Sequence, residues 1–487
     1  MELNAAYRGR KPGTGVLYRV ISENLETFIA RSRMADHRGI PEYVEQEFRS
    51  YLECGVPAYG FIRVKCFDCG KEKIVPFSCK KRGFCPCCCG KRMNETAIHL
   101  TDNMIPRVPV RQFVVTFPLP LRFWMAANSK LQSKVLEIAI RVIKGEYGKR
   151  LKNKYGKNDL KTGAVTLIQR SGSALNLNIH FHVLFIDGGF EVSERGRVFY
   201  RAPSPDDEDI KDLLKKISGR VIRYLRKKGY LGESGYPEDI QYENPWLAKI
   251  MAASVKNVIA MGLRASKHVR RLIAPGWGYE DEDPQKKGKL CFQVNFFSLH
   301  AATVIKSHER KGLENLCRYV LRPPVAQERL KLRNDGTISY KMKKAWNDGT
   351  THMIFSPMEL VEKLVALVPP PRIHTVRFHG ILAPHAKNRS KVAKSRKDIK
   401  EEAEKNMKKD SQSGNPEVKK YKMTWARMLK RVFNVDVEVC SCCGGKTKII
   451  GPVLEKSAIR KILIHIGADP DPPEISPPRY EQLACGF

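Results

Sequence analysis

Fourteen cysteines in a chain of 487 residues constrain its fold more than any other feature, because they are bunched. Eight lie between Cys54 and Cys89, three between Cys440 and Cys443, and Cys291, Cys317 and Cys485 stand apart. The segment ECGVPAYGFIRVKCFDCGKEKIVPFSCKKRGFCPCCCGKRM sets Cys66-x2-Cys69 fifteen residues ahead of Cys85-x2-Cys88. That spacing suits a four-thiolate zinc site, since each Cys-x-x-Cys turn offers two thiolates to one edge of a tetrahedron and two turns complete it. The expected ligands are Cys66, Cys69, Cys85 and Cys88. Cys54 and Cys79 are further candidates, Cys87 and Cys89 compete with them, and a second ion has room. Lys65, Lys80, Lys81, Arg82, Lys91 and Arg92 surround the thiols, so the module reads either as a DNA-contacting unit or as a structural prop. Much later, VEVCSCCGGKTKIIG supplies Cys440-x2-Cys443 with glycines for a tight turn, half of a zinc ribbon. Two ligands cannot close a tetrahedral site. Cys442, Cys485 or residues from afar would have to complete it, and an unmetallated turn is the alternative.

Thiols in such number fit a reducing compartment only as metal ligands. No apolar run approaches the roughly 18 residues of a membrane span, and the opening MELNAAYRGRKPG has no apolar signal core. A cytoplasmic, nucleoid-associated protein with no membrane partner is expected. Lys plus Arg outnumber Asp plus Glu by 87 to 51, a formal net charge of +36. An excess of that size points to a polyanionic partner, nucleic acid before a membrane surface.

Apolar residues recur at helical spacing from Val16 to Tyr51, with a break near Gly39 and Pro41, which predicts two amphipathic helices. RQFVVTF (111–117) reads as a strand and Asn128 to Tyr147 as a helix with Leu131, Val135, Ile138 and Val142 on one face. Arg197 to Arg201 reads as another strand. Ser204 and Pro205 look like the cap and first residue of the next helix. Residues 229–288 resemble an insertion with a basic helix near Val255 to Leu272. LCFQVNFFSLHAATVI (290–305) is strand-like, HERKGLENLCRYVLRPP a helix stopped by Pro323 and Pro324, and Asp348 to Pro371 a strand, a helix and a proline stop. Residues 387–424 are a cationic linker able to lie along a DNA backbone, and Trp425 to Phe433 an amphipathic helix. The domains expected are an N-terminal helical segment (1–52), a zinc-binding, DNA-binding module (53–105), a central domain (106–330), its C-terminal extension (331–386), the linker (387–424), and a C-terminal helix with the Cys knuckle (425–487).

Within the central domain, GAVTLIQRSGSALNLNIHFHVLFIDGG (163–189) reads as a β-hairpin. Its second strand, Ile179 to Ile186, is apolar but for His180 and His182. Alternate residues share a face, so the two imidazoles project side by side while Phe181, Val183 and Phe185 bury on the other face. Such a pair can share a metal ion or be two unrelated core histidines. Further on, Tyr319 sits at the edge of an apolar helix face formed by Leu313, Leu316 and Val320, where a tyrosine commonly packs with its hydroxyl in water. Arg318 and Arg322 beside it could hold phosphates.

LIQRSGSALNLNIHFHVLFIDG, FSLHAATV and LENLCRYVLRPPVA resemble the rolling-circle transposases of the insertion sequence 91 family, within the HUH endonuclease superfamily. The resemblance extends to the cysteine-rich segment, to DGTTHMIFSPMELVEKLVALVPPPR, to RFHGILAPHAKNR and to CSCCGGKTKII, in the family's order. It implies an α+β chain whose central domain (106–330) is a catalytic HUH core, an antiparallel sheet flanked by helices, between an N-terminal helical and zinc-binding module and a basic C-terminal region. It also implies that His180 and His182 hold a divalent cation, Mg²⁺ or Mn²⁺, and that Tyr319 is the nucleophile. Imidazoles by affinity suit zinc, whereas phosphoryl chemistry favours the harder ions. Asn315 and Pro323 flank Tyr319 at four residues, which implies the single-tyrosine type. Gln169, on the partner strand, is the leading third ligand, with His300, Asn315 and Asp187 behind it. The resemblance thus implies a transposase nicking and rejoining single-stranded DNA at mobile-element ends and at target DNA, with host helicase or replication proteins as partners. A replication initiator or relaxase of the same superfamily is the nearest alternative, and a non-catalytic zinc-dependent DNA-binding regulator the more distant one. Phe123 and Trp124 are candidates for stacking on bases.

Overall fold

A computed structural model describes residues 13–194, 196–231, 244–273, 288–346, 348–394, 439–440 and 442–479. Most of the cationic linker, the expected helix at 425–433 and Cys485 lie outside them.

Two helices open the chain, α1 (Val16–Ala35) and α2 (Glu42–Glu53), where the apolar spacing predicts them. A short hairpin follows, β1 (Phe61–Cys66) and β2 (Glu72–Pro76), then α3 (Pro86–His99), begun by a proline in its first turn. Helix α2 supports this region: Phe48 lies 4.6 Å from Phe84, and the Glu47 carboxylate accepts the Gly83 N–H at 2.6 Å. The chain continues through β3 (Val110–Thr116), α4 (Leu119–Ala127) and α5 (Ser129–Tyr155). Helix α5 outruns its predicted end by two turns and stops at Gly156, whose φ of 68° provides the left-handed cap. Then come β4 (Gly163–Ser171), β5 (Leu177–Ile186), the hairpin β6 (Gly188–Ser193) and β7 (Gly196–Arg201), and α6 (Asp207–Lys227). Helix α6 begins after Asp206, not Ser204. The Asp206 and Asp209 side chains each accept the other's backbone N–H, a reciprocal cap.

Beyond it, α7 (Pro245–Val255) precedes β8 (Arg270–Ile273), so the basic helix expected near 255–272 is absent. Asn257 takes a φ of 57°, and the next free N–H groups, Ala260 and Met261, donate to the buried Glu362 carboxylate instead of continuing a helix. The stretch expected as one strand is a hairpin, β9 (Cys291–Val294) and β10 (Phe297–His300), followed by β11 (Val304–Ile305). Asn295 and Phe296 both have positive φ, the two-residue turn that suits strand twist, although phenylalanine is an unusual occupant. The remaining described elements are α8 (Arg310–Leu321), β12 (Leu330–Leu332), β13 (Ile338–Lys341), β14 (Thr350–Phe355), α9 (Pro357–Leu367), β15 (Val376–Gly380), β16 (Thr447–Val453) and α10 (Lys456–His465).

These elements make a mixed α/β chain with antiparallel sheets. The largest runs β15-β4-β5-β3-β10-β9, with β11 also paired to β3. Strand β5 is therefore central, and its alternation divides two cores. On one face Phe181, Val183 and Phe185 join Phe113 and Val115 of β3 under Leu131, Val135 and Ile143 of α5 and Leu214 and Ile217 of α6. On the other, Leu184 and Ile186 join Val165 and Leu167 of β4 under Leu313, Cys317 and Val320 of α8. Burying each such side chain is worth about 1.5–3 kcal/mol, so the strand's register is strongly fixed. A slip of one residue would exchange its faces. Among the described residues, no helix is long and apolar enough to cross a membrane.

The first face also buries charge. Arg111 and Asp187, 3% and 1% exposed, pair at 3.1 Å, and the Tyr147 hydroxyl donates to Asp187 at 2.6 Å. Removing one partner would strand the other's charge. We expect Asp187→Ala to lower the unfolding free energy by about 3–5 kcal/mol and Tyr147→Phe by about 1 kcal/mol in denaturant titrations. A cost for Asp187→Ala no larger than that for Tyr147→Phe would contradict the pairing.

Candidate functional site

His180 and His182 project from β5 toward the face that α8 covers, with ring centroids 5.0 Å apart. Their surroundings fix each ring. The His180 Nδ1–H donates to the Asn178 carbonyl at 2.8 Å, which leaves Nε2 as the acceptor. His182 Nδ1 lies 2.8 Å from Gln112 Nε2, and its Nε2 lies 3.3 Å from Gln169 Oε1. A half-turn of the Gln112 amide, which exchanges its oxygen and nitrogen but leaves the side chain's outline unchanged, would protonate Nδ1 and free the Nε2 lone pair beside Gln169. Burial depresses both imidazoles, His180 to about 4 and His182 to about 3, with the Arg322 charge adding to each and Arg122 to His180. Near neutral pH both rings are uncharged and can act as ligands.

Helix α8 meets this row through its own termination. Carbonyls of Tyr319 and Val320 would normally accept from residues four ahead, but those are Pro323 and Pro324, which carry no N–H. The Val320 carbonyl instead takes the Gln169 Nε2–H at 2.7 Å, and the Tyr319 carbonyl takes Arg322 Nη1 at 3.4 Å. Gln169 thus joins the histidine row to the backbone next to Tyr319. Tyr319 itself is 46% exposed. The Arg322 guanidinium lies 4.4 Å from the centre of its ring and the Lys343 ammonium 4.3 Å. A hydrogen bond from Arg322, with the charges of Arg322 and Lys343, holds the phenol below its usual range.

The other expected ligands stay outside this cluster. Asp187 is on the opposite face, committed to Arg111. His300 shares the cross-strand row of His182 but two strands away through Val114, about 10 Å at normal strand spacing. Asn315 is exposed one turn before Tyr319. Arg318 is ion-paired to Glu314 on its own helix. The Arg82 guanidinium donates to the Ile373 carbonyl at 3.3 Å, while Lys80 is exposed and Lys81 half-buried. Trp124 is a core residue, 4% exposed and 5.6 Å from the Tyr230 ring, and Phe123 packs against the same core, so Trp124 is no surface platform. Sequence reasoning missed Gln112, although a glutamine within RQFVVTF is a signal of its own. It also missed Arg122 and Lys343, which only tertiary structure brings close.

The thiols divide differently from their spacing. Cys66 and Cys69 do not meet Cys85 and Cys88. One cluster is Cys54, Cys79, Cys85 and Cys88, and the other is Cys66, Cys69, Cys440 and Cys443, each with all four sulfurs within 4.8 Å of one another. The reason is local: Cys85 caps α3 and Cys88 lies in its first turn, whereas Cys66 and Cys69 ride the β1–β2 turn away from it. In the first cluster the sulfurs approach at 3.4 to 3.8 Å. That matches the edge of about 3.8 Å of a tetrahedron with zinc–sulfur bonds near 2.3 Å. Hydrogen bonds from Cys79 and then Cys85 bring the Cys54 thiol down to about 7, and the Cys54 contact pushes Cys85 up. Cys87 and Cys89 are left out of both clusters.

Two family models match the chain: a transposase model, Y2_Tnp, over residues 163–391, and the transposase zinc-binding domain of insertion sequence 91 elements over residues 21–117. The chain belongs to the insertion sequence 91 family of transposases. No curated protein and no solved structure matches it. The first match spans the β4–β5 hairpin and α8, and the second the whole Cys54 cluster. As a transposase the protein acts on DNA, cutting and joining strands, and its thiolate clusters support structural Zn²⁺.

Proposed function

We propose that this transposase nicks and rejoins single-stranded DNA at the ends of a mobile element through a 5′-phosphotyrosine intermediate, as a single-tyrosine HUH endonuclease. The observation that carries the reading is the chain of contacts from His182 through Gln169 to the Val320 carbonyl, beside Tyr319.

Tyr319 is the nucleophile. Its phenol, half-exposed and acidified by Arg322 and Lys343, loses its proton to solvent, and the oxygen attacks the scissile phosphorus in line. The bond to the 3′ oxygen breaks, that oxygen takes up a proton as a free 3′-hydroxyl, and the phosphate stays on Tyr319. Attack by another 3′-hydroxyl reverses the step and restores the tyrosine. The phosphotyrosine preserves the phosphodiester's energy, so no nucleotide hydrolysis is needed. Arg322 and Lys343 also offer positive charge to the non-bridging oxygens. Neutral near physiological pH, the imidazoles carry no extra proton to give and serve as ligands.

His180, His182 and Gln169 would hold the divalent cation. The donor set fits: two neutral imidazoles and an amide oxygen, with His182 Nε2 and Gln169 Oε1 3.3 Å apart. Adjacent ligands of an octahedral ion with bonds near 2.1 Å stand about 3.0 Å apart. When bound, Mg²⁺ or Mn²⁺ polarises the phosphate and spreads the charge developing on its oxygens. The cluster of Cys54, Cys79, Cys85 and Cys88 would hold structural zinc, and Lys80, Lys81 and Arg322 are offered as DNA contacts. A single strand or hairpin is the preferred substrate, because the tyrosine must reach an exposed backbone.

Tyr319→Phe removes only a hydroxyl. It should abolish cleavage of single-stranded element ends and the covalent adduct while leaving DNA affinity unchanged in gel-shift titrations; unimpaired cleavage would rule out this nucleophile, and a non-catalytic regulator would keep its biological activity. His180→Ala combined with His182→Ala should remove one Mn²⁺ site measured by calorimetry and abolish cleavage. Wild-type Mn²⁺ binding by that variant would make the pair core histidines instead.

A further inference from the structure

Cys440 and Cys443 complete their half ribbon with thiols 371 and 377 residues earlier in the chain, Cys69 at 3.6 Å and Cys66 at 3.5 Å. We propose that these four cysteines hold a second zinc ion, which staples the C-terminal segment onto the N-terminal thiolate module. No disulfide explains the separations, since bonded sulfurs lie about 2.05 Å apart, whereas the edge of a zinc tetrathiolate is about 3.8 Å. Thiolate donors select zinc over the hard cations of phosphoryl chemistry.

Both turns are shaped as metal knuckles. In the later one Cys440 N–H donates to the Gly445 carbonyl at 2.8 Å, Gly444 adopts a φ of 74°, and the Cys442 N–H points at the Cys440 sulfur at 3.4 Å. In the earlier one the Cys66 N–H donates to the Lys71 carbonyl at 2.9 Å. The turns approach so closely that a Cβ on Gly445 would lie 1.9 Å from Asp68 Oδ2.

Little apolar packing surrounds the four thiols themselves. Strand β16 pairs antiparallel with β1 over Phe61↔Val453 to Cys66↔Thr447, with α10 packed beneath. The fully buried apolar core is Phe61, Ile459 and Leu463, far less than a small unit ordinarily needs without metal or disulfide. Within the ladder Lys65 sits directly opposite Lys448, a like-charge pairing that weakens a sheet. A zinc ion with four thiolates carries a net charge of −2, which these lysines would offset. Closing so long a loop is costly in entropy for a sheet with that core, and metal bonds offset it as folding free energy. The N-terminal module and the C-terminal tail would then be one zinc-dependent unit formed from both ends of the described chain.

The test counts metal in the full-length protein, in the His180→Ala, His182→Ala background so that the imidazoles add none. Mass-spectrometric metal analysis should give two zinc ions per chain. Adding Cys440→Ser with Cys443→Ser should give one, and adding Cys54→Ser with Cys79→Ser should also give one. One ion in the parent protein, or two retained after loss of Cys440 and Cys443, overturns the proposal, and the parent count decides even if a variant misfolds. Hydrogen exchange reads the staple itself: residues 447–453 should lose protection in the Cys440/Cys443 variant while β4 and β5 keep theirs. Unchanged protection of 447–453 overturns the stapling role. None of these readouts depends on DNA cleavage.

Discussion

One amide side chain spans the distance on which the proposed chemistry depends. Gln169 offers its oxygen to His182 and its nitrogen to the Val320 carbonyl, so the central strand and the tyrosine helix are held at hydrogen-bonding range. The helix accepts because Pro323 and Pro324 deny its last carbonyls their normal donors. The proline pair therefore does more than end α8: it leaves the Tyr319 and Val320 carbonyls as orphan acceptors that Arg322 and Gln169 occupy. Beneath this contact lies the alternation of β5, which commits Phe181, Val183 and Phe185 to one core and sends both imidazoles to the face carrying Leu313, Cys317 and Val320.

Charge is distributed in keeping with that arrangement. The imidazoles are kept neutral by burial and by neighbouring arginines, which suits ligands. The phenol is lowered by Arg322 and Lys343, which suits a nucleophile whose target is an anionic phosphate. The same cations that would acidify Tyr319 could thus receive the phosphate, so activation and substrate capture need no separate groups. On the opposite face, Asp187 is consumed by Arg111 and Tyr147, so this carboxylate is structural and does not compete for the cation.

Much of this was legible in the residues. The β4–β5 hairpin announced itself by an apolar strand interrupted only by two histidines one pleat apart, and α8 by its apolar stripe and proline stop. Gln169 was readable as a candidate because it lies on the partner strand, and the structure adds the register that sets it across from His180. What could not be read was anything set by distant segments. The thiols were paired by sequence proximity, whereas the fold turns Cys66 and Cys69 toward a knuckle near the other end and hands Cys85 and Cys88 to Cys54 and Cys79. Lys343 arrives from the connection between β13 and β14, and no local pattern marks it. The hairpin at Asn295 and Phe296 was hidden because a phenylalanine fills a turn position that glycine usually takes. The helix expected after Val255 yields to the buried Glu362 carboxylate, whose claim on two backbone N–H groups outweighs local propensity.

The most direct measurement is of the covalent bond itself. Wild-type protein incubated with a 5′- and 3′-labelled single-stranded element end and Mn²⁺, then digested with trypsin, should yield a nucleotide-bearing peptide that begins at Tyr319, with the fragment 5′ of the nick released bearing a free 3′-hydroxyl. A nucleotide attached to any other residue, or cleavage that leaves no protein–DNA adduct, would contradict the account.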